Sequence, residues 1–229
     1  MLGWSHLDGS KVLARHLRAF HKLPLDSVEL AFERMVERPV NAGETIVAQG
    51  DPGDAYYIIL AGEAEVWVTD PLSDESSCVT VLGETDAFGE EALLLDGNRT
   101  ATVRMATPER LLRLGKDDFD ALLKPRMVEE IDADRAHEML ASGAARLLDC
   151  RYPAEFEEVR IPGAQLLPLD SLRRQGVFTL DPEPTYIVDC RSGRRSSAAA
   201  FLLQERGMRA LSLSGGIRDW PYAVDGRAD

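Results

Sequence analysis

The sequence predicts two domains of different class. A β jelly-roll barrel with flanking helices is expected over residues 1–125, and an α/β domain, a parallel sheet with helices on both faces, over residues 126–229. Three observations carry this. Between about 40 and 115, short β-rich runs recur roughly every 8–12 residues between turn signals, the pattern of an antiparallel barrel or jelly roll. From 130 onward, apolar strands alternate with helical patterns, which builds a parallel sheet. The charge also shifts at mid-chain: residues 1–125 carry 12 Lys/Arg against 22 Asp/Glu, and the remainder carry 14 Arg, 17 Asp/Glu and no Lys. A shift of that kind marks a domain boundary.

The elements follow in order. SKVLARHLRAFHK (10–22) has Val12, Leu13, Leu17 and Phe20 near helical spacing among basic residues, and reads as an entry helix packed on the first domain. A second helix starts after Pro24, with Asp26 as N-cap, Leu30, Phe32, Met35 and Val36 as its apolar positions, and Pro39 as its stop. The runs ETIVAQ, AYYIIL, AEVWVT, SCVTVL, TATVRM and RLLRL are the barrel strands, separated by NAG, GDPGD, AGE, DPLSD and LDGN. DDFDALL (117–123) is a helix capped by Asp117, and KPRMVEE after it is a linker. In the second half, IDADRAHEMLASG is a helix stopped by Gly143, RLLDC, AQLLPL, TYIVDC and RALSL are strands, and RRSSAAAFLLQERG is a helix ending at Gly207.

Composition excludes several classes. At 45% apolar and 28% charged the chain has ordinary globular material, and no run approaches the ~20 apolar residues that cross a bilayer. A net charge of −13 and a pI near 4.8 oppose binding to a nucleic-acid backbone. The three cysteines (Cys78, Cys150, Cys190) cannot all pair and lack C-x2-C spacing, and the four histidines are scattered, so no metal is expected. With no apolar h-region at the N-terminus, a reducing cytoplasm is the expected compartment. A homo-oligomer is compatible with all of this.

Two segments carry chemistry. FGEEALLLDGNRTATV (88–103) places a Gly-Glu turn, a short helical stretch and Arg99 together. Turn N–H groups bind anions, a guanidinium clamps phosphate, and the Glu90 carboxylate can accept from sugar hydroxyls. CRSGRRS (190–196) puts Cys190 between an apolar strand and a helix, at the strand end where parallel sheets place their sites. Loop N–H groups, the helix N-terminus and Arg191, Arg194 and Arg195 all favour thiolate, which makes Cys190 a candidate nucleophile. Cys150 precedes no such loop and reads as structural, as does Cys78.

Residues from about 17 to 123, through GDPGDAYYII, LAGEAEVW and the cassette FGEEAL…NRTATV, resemble a cyclic nucleotide-binding domain of the type found in cAMP-dependent kinase regulatory subunits and bacterial regulators. The resemblance implies a ligand site of Gly89, Glu90, Glu91, Ala92, Arg99, Thr100 and Ala101. Glu90 would hold the ribose 2′-OH and Arg99 the cyclic phosphate, with Thr100, Ala101 and backbone N–H groups completing the cradle. The ligand is then cAMP or cGMP, with cAMP preferred. Residues 128–220, through DCRYPAEF, IPGA, CRSGRRS and GGIRDW, resemble a rhodanese sulfurtransferase domain, with Arg160 standing where a His often precedes IPGA. The resemblance makes the Asp and Arg of DCR and Trp220 scaffold.

Tyrosine and Cdc25-type phosphatases wrap phosphate with Cys, five residues and Arg, whereas Arg195 arrives one residue early and Ser196 holds the sixth position. A sulfur-handling loop is therefore expected rather than a phosphatase. Its set is Cys190, Arg191, Ser192, Gly193, Arg194 and Arg195. Thiosulfate or a persulfide is the expected donor, a thiol the acceptor, and a nucleotide-regulated sulfurtransferase the expected function. The alternative is a non-catalytic nucleotide sensor with a docking or sulfur-carrier module. The βα pattern and the acidic charge oppose a helix-turn-helix regulator.

Overall fold

The computed structural model describes residues 20, 24–70, 73–175 and 180–226. The predicted helix over 10–22 lies outside them except for Phe20, and the DPLSD turn lies partly outside. The chain divides between Met127 and Val128 into two compact units.

The first unit begins with α1 (Leu25–Arg34) and continues through β1 (Val36–Val40), β2 (Thr45–Val47), β3 (Ala55–Ala61), β4 (Ala64–Thr69) and β5 (Ser76–Leu82). β6 (Ala87–Phe88), α2 (Glu90–Leu95), β7 (Thr102–Met105), β8 (Glu109–Gly115), α3 (Lys116–Leu122) and α4 (Lys124–Met127) complete it. The strands form two antiparallel four-stranded sheets, ordered β1-β8-β3-β6 and β2-β7-β4-β5. Val40, Val47, Tyr57, Ile59, Phe88, Val103, Met105 and Leu111 fill the core between them.

AYYIIL is apolar throughout because both faces of β3 are covered. Tyr57 and Ile59 enter the sheet-to-sheet core, while Tyr56 meets the Phe119 ring of α3 at 5.4 Å and Phe20 at 6.4 Å.

Several expectations for this half are corrected. α1 stops at Arg34, because Val36–Val40 pairs with β8 as an edge strand and Pro39 lies inside it. An edge strand tolerates the missing N–H of proline. Asp26 and Asp117 sit in the first turns of their helices, whose N-caps are Pro24 and Gly115. Leu30 is 50% exposed; Val28 and Ala31 carry the buried face of α1. Lys124–Met127 is a helical turn rather than linker. Its Lys124 Nζ donates to Leu93 O at 2.8 Å and reaches Asp96 and Asp120, which holds the turn against α2 and α3.

The second unit comprises β9 (Glu130–Ile131), α5 (Ala133–Ala141), β10 (Ala145–Asp149), α6 (Pro153–Glu158), β11 (Val159–Arg160), β12 (Gln165–Leu166) and α7 (Leu169–Gln175). β13 (Thr185–Asp189), α8 (Arg194–Glu205), β14 (Arg209–Leu213) and β15 (Asp225–Gly226) follow. A parallel five-stranded sheet runs β12-β10-β13-β14-β9, and β11 pairs with β15 beside it. Leu147, Ile187 and Leu213 share one sheet face with Ala136, Met139 and Leu140 of α5. α8 packs on β13 and β14. Of the expected strand AQLLPL only Gln165 and Leu166 pair; α7 starts at Leu169.

Candidate functional sites

In the first unit, Gly89 adopts a left-handed conformation (φ 94°) as N-cap of α2, and a Cβ there would come within 2.6 Å of Arg99 Nη1. Glycine thus serves both the turn and the close approach of the guanidinium. Arg99, only 4% exposed, donates from Nη1 to Gly89 O (2.9 Å) and from Nη2 to Asp54 Oδ1 (2.7 Å) and Ala55 O (2.8 Å). These bonds use both hydrogens of Nη2 and one of Nη1, so the Nε–H and the second Nη1–H are the donors they leave over.

Backbone bonds Arg99 N to Asp51 O (2.7 Å) and Gly50 N to Arg99 O (2.9 Å) hold the loop. Thr100 Oγ1 donates to Glu91 Oε2 (3.0 Å), bridging the two ends of the cassette. Glu90 starts α2 next to Gly89, and Ala92 is buried in it. Gly89, Glu90, Glu91, Ala92, Arg99 and Thr100 are therefore brought to one place, with Ala101 continuing the chain into β7. Asp54, absent from the sequence-based set, anchors the cation. Burial pushes its carboxyl up, but hydrogen bonds from Arg99 and Arg113 hold it below the usual aspartate value. Its position in the turn GDPGD offers no signal that it reaches Arg99.

In the second unit, Cys190 follows β13 and is 1% exposed, at the floor of the loop that leads into α8. Gly193 (φ 90°) caps α8 and aims its N–H at the sulfur, 3.2 Å away. Ser196 Oγ lies 3.5 Å from the sulfur and 2.9 Å from Ser212 Oγ, both serines fully buried. A hydrogen bond with the Cys150 thiol is the largest influence on Cys190. It outweighs burial and, with Ser196 and the Ser192 and Ser196 N–H groups, brings the thiol down to about 5. The site is therefore built to hold a thiolate at neutral pH.

The loop is locked from behind by GGIRDW. Gly215 and Gly216 both take positive φ, and a Cβ on Gly216 would collide with the backbone of Cys190, Arg191 and Ser192. Ile217 N and Arg218 N donate to Cys190 O (2.8 Å) and Arg191 O (3.2 Å).

The three arginines separate. Arg191 and Arg194 are exposed, whereas Arg195 is tied by both terminal nitrogens to Glu155, each bond 2.7 Å. That pair holds the Glu155 carboxyl down at about 2. Arg195 is thus a fixed charge beside the loop. Asp149 and Arg151 form a buried ion pair (2.6 Å), with Arg151 also bonded to Val159 O (2.6 Å), as scaffold residues should. Burial and the neighbouring Asp149 raise Asp189 to about 8, so it stays protonated near neutrality.

Sequence reasoning missed Ser196 as a partner of the sulfur, Glu155, and above all Cys150. The repeated Asp-Cys at the ends of LLDC and IVDC is the one signal that could have placed the two thiols side by side.

Fold and sites together define a two-domain chain, a β barrel with a buried arginine beside a Gly-Glu turn followed by a parallel α/β domain with a cysteine loop. Residues 37–126 match the profile of the cyclic nucleotide-binding domain and residues 132–222 that of the rhodanese-like domain, so the chain carries one domain of each family. It is similar to a cAMP-dependent protein kinase regulatory subunit of Yarrowia lipolytica (40% identity over 93 residues, 41% of this chain and 24% of that protein). It is also similar to the cyclic AMP receptor protein of Thermus thermophilus (28% identity over 211 residues, 91% of each). The chain spans a fifth to a quarter of the kinase subunits that it matches. Among solved structures, the regulatory domain of Toxoplasma gondii PKA with cAMP shares 28% identity at a TM-score of 0.47, covering 59% of this chain and 48% of that one. No helix among the described residues is long and apolar enough to cross a membrane.

Proposed function

We propose that this chain is a cytoplasmic sulfurtransferase whose rate is set by a cyclic nucleotide, with cAMP, named for the relatives above, as first choice over cGMP. The observation that supports it most is the depressed Cys190 thiol within a ring of N–H and O–H groups. The Cys190 thiolate attacks the outer sulfur of thiosulfate; the S–S bond breaks and sulfite leaves with its electron pair, giving a Cys190 persulfide anion. Cyanide in an assay, or a thiol in the cell, then takes the terminal sulfur and restores the thiolate, so kinetics are ping-pong.

Arg191 and Arg194 hold the anionic donor, the N–H groups of residues 192, 193 and 196 stabilise the persulfide, and Arg195, its charge met by Glu155, braces the loop. In the first domain, Arg99 holds the cyclic phosphate and Glu90 the ribose, with Thr100 and Ala101 beside them.

Thiosulfate–cyanide turnover with and without nucleotide tests both halves. Activity that is lost in Cys190→Ser and loses its nucleotide response in Arg99→Ala is expected. Turnover by Cys190→Ser would overturn the assignment. The near-complete cover over Cys190 favours, of the alternatives, a non-catalytic nucleotide sensor with a docking module over one with a sulfur carrier; a chain that binds nucleotide but neither takes up sulfur from thiosulfate nor forms thiocyanate would support it.

A further inference from the structure

Cys150 and Cys190 occupy equivalent places on neighbouring strands. β10 and β13 run parallel with Asp149 opposite Asp189, and Cys150 N donates to Asp189 O at 2.9 Å, so the ladder continues to the cysteines. Because side chains alternate along a strand, the two aspartates share one sheet face and the two cysteines the other. Parallel neighbours lie about 4.8 Å apart, inside the roughly 4.4–6.8 Å Cα separation that a disulfide spans. Both thiols are free and both are buried, and Cys150 is the largest influence lowering Cys190.

We propose that Cys150 is the resolving nucleophile of this site, closing a Cys150–Cys190 disulfide on the Cys190 persulfide and releasing its outer sulfur as hydrosulfide. This rests on the sulfurtransferase reading above, because it needs the persulfide.

At rest Cys150 is held as a thiol, since burial and the adjacent Cys190 thiolate both push it up. It therefore donates to Cys190 and does not compete for the sulfur donor. Once Cys190 carries a second sulfur, the negative charge sits on that terminal atom. The Cys150 proton passes to it, the Cys150 sulfur attacks Cys190 Sγ, the bond to the terminal sulfur breaks, and hydrosulfide departs with the electron pair. Atoms and charge balance without an outside oxidant; the disulfide is returned to two thiols by a dithiol reductant. Two sulfurs held at the adjacent ends of paired strands gain the large effective concentration of an intramolecular reaction, so closure outruns slow external acceptors.

The test uses the reduced full-length chain mixed with thiosulfate and no acceptor, followed by intact mass, peptide mapping and assays of sulfite and sulfide. Wild type is expected to release sulfite, then one sulfide per chain, and to end two hydrogens lighter with a Cys150–Cys190 crosslink that dithiothreitol removes. Cys150→Ser should stop at a stable one-sulfur adduct on Cys190 and release no sulfide. A wild-type adduct that persists, with Cys150 still alkylatable after denaturation, overturns the proposal while leaving the sulfurtransferase reading intact. No adduct, no crosslink and no sulfite in either protein overturns both. The wild-type measurement decides by itself if Cys150→Ser folds poorly.

Discussion

On the function proposed above, the two domains stabilise negative charge by opposite means. The barrel uses a buried, permanently charged guanidinium, Arg99, whose position is enforced by Asp54 and two carbonyls. The α/β domain would use neutral groups, the Gly193 N–H and the Cys150 and Ser196 side chains, around an anion that belongs to the protein, the Cys190 thiolate. A diffusible anion must be drawn from water, and a full charge in a low-dielectric setting does that. A reacting anion must stay nucleophilic, and dipoles stabilise it without neutralising it in an ion pair. Consistent with this, the arginine nearest the thiol loop in chain order to be partly buried, Arg195, has its charge met by Glu155.

The largest break in the comparison is Cys190→Ser, which removes the charge that the dipoles serve. Sulfur transfer should fall by about three orders of magnitude or more, measured as thiocyanate formation, while nucleotide binding stays unchanged. Next is Arg99→Ala, which removes the barrel's cation. Nucleotide affinity should drop by about 2–3 kcal/mol, roughly 30- to 150-fold by calorimetry, with no effect on the alkylation rate of Cys190.

The pH response sharpens the contrast. Because the Cys190 thiol is lowered, its contribution to stability is complete above the ordinary thiol value of 9.0 and disappears as the pH falls through about 5. Alkylation of Cys190 should therefore follow a titration with a midpoint near 5. The smallest effect expected is for Ser196→Ala. Losing one hydrogen-bonding group should move that midpoint upward and cost about 1 kcal/mol of thiolate stabilisation, read from the same alkylation profile.

Much of this was legible from local pattern. The strand AYYIIL and the helix over RRSSAAAFLLQE needed only a short apolar run between turn signals and a helical run stopped at Gly207. The failures share a cause. Val36–Val40 reads as the end of a helix until β8 offers it a ladder, and Lys124–Met127 reads as linker until Asp96 and Asp120 come within reach of Lys124. Both outcomes depend on partners distant in sequence, which override weak local preference.

The same division runs through the sites. Residue order by itself determined that Gly89, Glu90 and Arg99 form one cassette, and that Cys190 opens a loop rich in N–H donors, because those features lie within a few residues of each other. Only the tertiary structure decided that Asp54 steers Arg99, that Glu155 occupies Arg195, that Ser196 leans on Ser212, and that Cys150 stands beside Cys190. Loop and helix packing makes the first three neighbours, and strand register makes the last. Register is a property of two segments pairing across tens of residues, chosen by burying whole faces rather than by any local motif.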